Sequence, residues 1–373
     1  MSHLVYLSPV PWTSFAQRPH KFVAWFHDRT GGKVLWVDPY PTRLPNLSDF
    51  RRLKAPPKAK SIGENDTHPA WLSVIRPRAL PIEPLPGSGL ANAPFWQPIL
   101  RAVDGVAKDG PGLLVSGKPS VLALTLRHRL QGWRSVYDAM DDFPAFYTGL
   151  SKAAMRWREQ QLVRKVDAVL ASSTALQQRW LTIRNDVQLV PNGLDAALLP
   201  AFHEPAGARD QKILGYVGTI ASWFDWDWVL ALAGARPQDV VRLIGPVFTP
   251  TPADLPRNIE MLPACNHQSA LTAMQRFDVG LIPFRQNQLT ASVDPIKYYE
   301  YRALGLPVVS TDFGEMRGRS GTDGTWISQQ PQDASALVAQ ALQHRATTES
   351  VQQFRTTNSW HARFDAASQA IIG

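Results

Sequence analysis

Short apolar runs alternate with amphipathic stretches along the whole chain, and this alternation limits the fold more than any other feature. "LVYLS" (4–8), "KVLWVD" (33–38), "GLLVS" (112–116), "SVYD" (135–138), "AVLASS" (168–173) and "VQLV" (187–190) read as strands. Helical spacing of apolar residues fills several of the intervals, at 16–28, 93–107, 149–164 and 174–183. The second half repeats the scheme with "KILGYVG" (212–218), "VVRLIG" (240–245), "NIEML" (258–262), "VGLIPF" (279–284) and "PVVST" (307–311). Alternation of this kind argues for parallel sheets, with helices on both faces. Two rounds of the pattern predict an α/β chain with two Rossmann-like domains. The expected divisions are 1–190, a Pro-, Gly- and Ala-rich linker at 191–211, a second domain at 212–345, and a closing amphipathic helical segment at 346–373 around Trp360, Phe364 and Ile371.

A length of 373 residues suffices for two domains that each bury a core. With 44% hydrophobic and 19% charged residues, disorder is excluded as the general state. No run of about 18 apolar residues occurs, so no membrane-spanning helix is expected. The start, "MSHLVYLSPVPW", lacks a basic region followed by a long apolar one, so no signal peptide is expected. A single cysteine, Cys265, excludes an intrachain disulfide and a cysteine-based metal cluster, which fits a cytoplasmic protein. Residues 1–190 carry 25 Lys and Arg against 14 Asp and Glu, a charge of +11, whereas the remainder carries −3. That asymmetry predicts an anionic partner such as a phospholipid surface or a pyrophosphate-linked substrate. No motif of a nucleic-acid-binding fold is present, so nucleic acid is not expected. An irregular region, 41–70, holds the basic cluster Arg51, Arg52, Lys54, Lys58 and Lys60 and is expected to be a long surface loop.

"DPIKYYEYRALGLPVVST", 294–311, concentrates the chemistry of the second half. Ile296, Tyr299 and Ala303 have helical spacing, Pro295 suits the first turn, Gly305 stops the helix, and a buried strand follows. Lys297 and Glu300 then lie one turn apart at a helix start, where backbone N–H groups attract an anion. "LGYVGTIASWFDWDWV", 214–229, is a second strand–turn–helix, in which Gly218 permits close backbone approach. Its Asp225 and Asp227 have the spacing of a metal-binding pair, but acidic residues in a helix's first turn explain them better.

Taken together, "LGYVGTI", "RLIGP", "FDVGLIPF" and "DPIKYYEYRALGLPVVST" resemble the nucleotide-sugar domain of a GT-B glycosyltransferase. "DAVLASSTALQQRWLTIRNDVQLVPNGLD" (167–195) resembles the end of that family's first domain, "FAQRPHKF" (15–22) its opening loop, and "SWHARF" (359–364) the helix that crosses back to the first domain. The resemblance covers most of the chain, with 40–110 its least recognisable part. It implies two parallel sheets facing a cleft. It also implies a donor site in which Gly218, Thr219, Pro295 and Tyr298 contact the nucleotide sugar, Lys297 pairs with the diphosphate and Glu300 holds the ribose. His267 falls where the family contacts the nucleotide base. A large retaining branch places Glu eight positions before the helix glutamate; here that position is Ser292, with Asp294 out of step. An inverting enzyme needs a general base instead, and "VYDAMDDFPAF" (136–146) offers Asp141 and Asp142, with Asp142 preferred. Arg18 and His20 in the opening loop are candidates for the acceptor or the sugar.

The reading is a GT-B glycosyltransferase of the bacterial capsule or exopolysaccharide type. It would transfer a hexosyl or glucuronosyl group from a UDP-sugar to a hydroxyl of a glycan or lipid-linked oligosaccharide, peripherally at the inner face of the plasma membrane. Neither metal nor resident cofactor is expected, the nucleoside diphosphate sugar being a co-substrate. The alternatives are a nucleotide-sugar epimerase of the same fold and a non-catalytic glycan- or nucleotide-binding protein.

Overall fold

The computed structural model describes residues 3–40, 68–83, 85–202 and 210–373. The described chain falls into two compact units. The first runs to Ala171 and includes Leu176–Leu189 and Ala367–Gly373; the second is Ser172–Ala175 with Val190–Ala366.

The first unit is built on strands β1 (His3–Leu7), β2 (Lys33–Val37), β3 (Leu72–Ile75), β4 (Leu113–Ser116), β5 (Arg134–Ala139), β6 (Ala168–Ala171) and β7 (Val187–Leu189), in the order β3-β2-β1-β4-β5-β6-β7. All pairings are parallel, with Leu4 opposite both Val34 and Leu113. Helices α1 (Arg18–Thr30), α2 (Ser88–Ala107), α3 (Val121–Arg129), α4 (Gly149–Lys165) and α5 (Thr174–Leu181) cover it. Parallel strands are covered on both faces, which is why β1 and β4 are buried at every position. Val5 and Leu7 join one core with Trp96 and Val103 of α2, Leu126 of α3, Leu162 of α4 and Trp180 of α5. Tyr6, one residue out of phase, instead meets Phe22 of α1 and stacks on Trp36.

The second unit has β8 (Ile213–Val217), β9 (Val240–Ile244), β10 (Ile259–Leu262), β11 (Val279–Ile282), β12 (Val308–Thr311) and β13 (Thr325–Ser328), parallel and ordered β10-β9-β8-β11-β12-β13. Its helices are α6 (Trp226–Ala235), α7 (His267–Met274), α8 (Ile296–Ala303), α9 (Ala334–Ala341), α10 (Thr348–Thr357) and α11 (Trp360–Ala366). A last helix, α12 (Ser368–Ile372), lies in the first unit, where Arg134 donates to the Ala370 carbonyl at 2.9 Å. In each sheet the strand order reverses beside the first strand, between β1 and β4 and between β8 and β11. Ligands of doubly wound sheets collect beyond the carboxyl ends at such points.

The structure differs from the sequence expectations in several places. The closing segment is three short helices, broken at Asn358–Ser359 and at Ala367. Strands β3 and β13 and helix α3 add to the expected elements; they are four- or nine-residue pieces whose periodicity is too weak to announce them. Pro295 is the N-cap of α8, not a first-turn residue. Asp225 caps α6 by accepting the Trp228 N–H at 3.1 Å. The cluster Arg51, Arg52, Lys54, Lys58 and Lys60 lies outside the described residues.

Candidate active site

In the second unit, the turn after β8 is held by its own strand: the Tyr216 hydroxyl donates to the Thr219 carbonyl at 2.9 Å, and the Val217 N–H donates to the Tyr301 hydroxyl at 3.0 Å. Gly218 and Gly245 touch backbone to backbone. Gly245 has φ +149°, and a Cβ placed there would stand 2.0 Å from the Gly218 carbonyl oxygen. Only glycine at 245 allows the two loops to close together.

Helix α8 starts beyond the carboxyl end of β11. Its N-cap, Pro295, supplies no side-chain cap. On the first turn, Lys297 Nζ donates to Glu300 Oε2 at 2.5 Å, and His267 Nε2, at the start of α7, lies 2.9 Å from Glu300 Oε1. Burial opposes ionisation of Glu300. The Lys297 charge and the hydrogen bonds from His267 and Lys297 outweigh it and hold the carboxyl below its usual range. The result is a fixed carboxylate with an ammonium beside an uncapped helix N-terminus, an arrangement suited to a polyol next to a phosphate.

Tyr298 does not join this pair. Its ring lies under the Arg319 guanidinium, 3.9 Å from Cζ to centroid, and against Phe354 of α10. Asp294 is fully engaged as well: its carboxylate accepts from the Asn192 N–H at 2.7 Å, Tyr299 at 2.8 Å and Arg319 at 2.6 Å. It ties the Pro-Asn-Gly segment to α8 and leaves no oxygen for a sugar, and Ser292 beside it is buried.

In the first unit three aspartates follow one another at the carboxyl end of β5, in different states. Asp138 is fully buried; the Arg18 guanidinium grips it through Nε at 2.9 Å and Nη2 at 2.8 Å. Asp142 takes a two-point contact from Arg179, 2.8 Å to each oxygen. Asp141 keeps an open edge. Burial, against the opposing pull of Arg18 and with the like charges of Asp142 and Asp138, pushes its pKa up to about 7. That is where a general base works best. Of the two candidates inferred from sequence, Asp142 is thus held by Arg179 on both oxygens, and Asp141 has its pKa raised by burial.

Arg18 and His20 are both buried on α1, and of the two Arg18 meets this cluster. Arg18 is 3% exposed and holds Asp138. His20 accepts the Gln17 N–H at Nδ1 (3.2 Å), so its proton sits on Nε2, 3.1 Å from the Trp12 carbonyl. Burial lowers its pKa and keeps the ring neutral. Sequence reasoning missed Asp138 and Glu159. Glu159 on α4 is fully buried and accepts from the Tyr137 hydroxyl at 2.6 Å; burial raises its pKa to about 8. It also passed over Glu83, which accepts from Tyr40 at 2.7 Å and from the α3 N–H of Val121 at 2.6 Å. Only the position of Asp138 at the end of a strand could have signalled any of these.

No protein-family profile matches the chain. It is 27% identical over 206 residues to TuaH of Bacillus subtilis, assigned by name as a glycosyltransferase of teichuronic acid biosynthesis. That match covers 49% of this chain and 52% of the relative, so the chain spans about half the length of the curated relative it matches. Among solved structures, the sucrose-phosphate synthase of Thermosynechococcus elongatus superposes with a TM-score of 0.69 at 14% identity, covering 99% of this chain and 98% of that one. Anabaena HepE in complex with UDP-glucose gives 0.61 at 15% identity over 100% and 96% of the two chains. The lipopolysaccharide outer core galactosyltransferase WaaB gives 0.59 at 11% identity over 99% of both. The chain has the GT-B fold of the glycosyltransferases, as the motifs implied.

Proposed function

We propose that this chain is a glycosyltransferase that moves a sugar from a nucleoside diphosphate donor, UDP-linked, to a hydroxyl of a glycan or a lipid-linked oligosaccharide, with inversion and without metal. The observation that carries the reading is the Lys297–Glu300–His267 group at the uncapped start of α8. Lys297 and the first amides of α8 take the diphosphate, and Glu300 exchanges one of its present partners for the ribose hydroxyls. As the acceptor oxygen bonds to the anomeric carbon, the bond from that carbon to the phosphate oxygen breaks. The electron pair leaves with the nucleoside diphosphate, where the Lys297 ammonium offsets the growing charge. Asp141 accepts the acceptor's proton. Ser292 stands where a retaining enzyme would carry a carboxylate, which favours inversion. The name of TuaH and the UDP-glucose bound to HepE support a donor of this class.

The excess of +11 over residues 1–190 supports an anionic partner, and we read it as the inner membrane face on which a lipid-linked acceptor is carried. Among the described residues no helix is long and apolar enough to cross a membrane. The test is a thermal-shift titration of nucleoside diphosphates with and without EDTA, followed by NMR of the product. UDP should stabilise the chain in EDTA, and the product should carry the inverted anomeric configuration. A changed sugar with no acceptor required would support the epimerase instead.

A further inference from the structure

Helix α4 carries apolar residues on both its faces. Met155, Leu162 and Val163 point inward and are fully buried. Leu150 and Trp157, seven residues apart and so on one stripe, point outward at 83% and 55% exposure, with Ala153 exposed between them. The turn leading into the helix, Phe143–Phe146, buries Phe143 and leaves Phe146 57% exposed. Single exposed hydrophobic residues need no explanation, but three on one helix and the turn that leads into it do. The exposed charges on the same helix are all of one sign. Arg156, Arg164 and Lys165 are exposed, and the only acidic residue, Glu159, is buried on the opposite face against Tyr137.

We infer that this ridge is a membrane-docking face: Phe146, Leu150 and Trp157 enter the headgroup–acyl boundary while Arg156, Arg164 and Lys165 meet anionic lipid phosphates. A large aromatic and a leucine beside arginines, with no exposed acid on the helix, is the composition that holds a helix in an interface. A second copy of the chain fits less well, because a two-fold contact through this face would set arginines against arginines. The inference deepens the reading of a membrane-borne acceptor and rests on it, but its test is independent of transfer activity.

The full chain is floated with phosphatidylglycerol-containing vesicles and with pure phosphatidylcholine vesicles, at low and high salt. Wild type should partition to the anionic vesicles and lose that binding as salt rises. Leu150→Ser/Trp157→Ser should cut the partition coefficient at least about tenfold, as should Arg156→Ser/Arg164→Ser. Both variants should keep the UDP-induced shift in melting temperature, which shows that they fold and separates this inference from the donor site. A wild-type chain that ignores anionic vesicles, or a Leu150→Ser/Trp157→Ser chain that binds like wild type, overturns it. So does a dimer in sedimentation that the apolar variant dissociates while vesicle binding persists.

Discussion

Replacing Asp141 by Asn should cut turnover sharply and stabilise the fold at alkaline pH. In the unfolded chain this carboxyl titrates at its ordinary value of 3.8, and in the folded chain at about 7. As pH rises past the first value the unfolded state gives up its proton while the native state keeps it. Stability therefore falls between the two values and levels off above the second. About three pKa units correspond to a ceiling of about 4 kcal/mol, and solvent at the open edge of Asp141 should reduce this to roughly 1–3 kcal/mol. Asp141→Asn removes the titration, so its urea midpoint should exceed wild type at pH 8.5 and show no gain at pH 4. Loss of a general base should cost roughly 10²–10⁴ in rate. The wild-type rate should fall about tenfold per pH unit below 7, since only ionised Asp141 can take the proton. The assays are nucleoside diphosphate release against pH and urea unfolding at the two pH values. Near-normal turnover in Asp141→Asn, or a wild-type rate that stays flat from pH 5.5 to 8, would refute the assignment. An Asn variant less stable than wild type at pH 8.5 would refute the burial argument beneath it.

Lys297→Ala should weaken UDP roughly ten- to a hundredfold while leaving uridine nearly unchanged, read by calorimetric titration; equal losses for both would remove Lys297 from the phosphates. Glu159, with a folded pKa of about 8 against an ordinary 4.5, should make wild type lose roughly 3–5 kcal/mol as pH rises between those values. Glu159→Gln should flatten that dependence in urea unfolding, and a slope parallel to wild type would contradict a protonated Glu159. Gly245→Ala should destabilise by roughly 2–4 kcal/mol, because its Cβ would meet the Gly218 carbonyl in a backbone conformation only glycine favours. An unchanged melting temperature would show that the two loops can part without cost.

The fold was largely legible because its signals are local. Helix α8, the stop at Gly305 (φ +76°) and β12 follow from adjacent residues, and helix spacing alone puts Lys297 and Glu300 on one face. What was missed depends on partners distant in sequence. Nothing near Asp141 and Asp142 tells them apart; Arg179, 37 residues on from Asp142, does. His20 looks available until its ring is placed between Gln17 and Trp12, and Tyr298 looks like a neighbour of Lys297 until Arg319 and Phe354 claim its ring. The closing helical segment read as one because its breaks, at Asn358–Ser359 and Ala367, involve neither proline nor glycine.

The three aspartates after β5 differ in what holds them. Arg18 holds Asp138 and Arg179 holds Asp142, each through two nitrogen–oxygen contacts. Asp141 is then the member whose charge is set by burial and by the fields of its neighbours. Burial alone would favour its neutral form more strongly. The Arg18 charge opposes that push, while the locked Asp138 and Asp142 add to it, and the balance lies near neutrality. Arg18 thus holds one aspartate and lowers the pKa of another. The arginine suggested from sequence as a contact to the acceptor or the sugar is buried at the start of α1 and paired with Asp138.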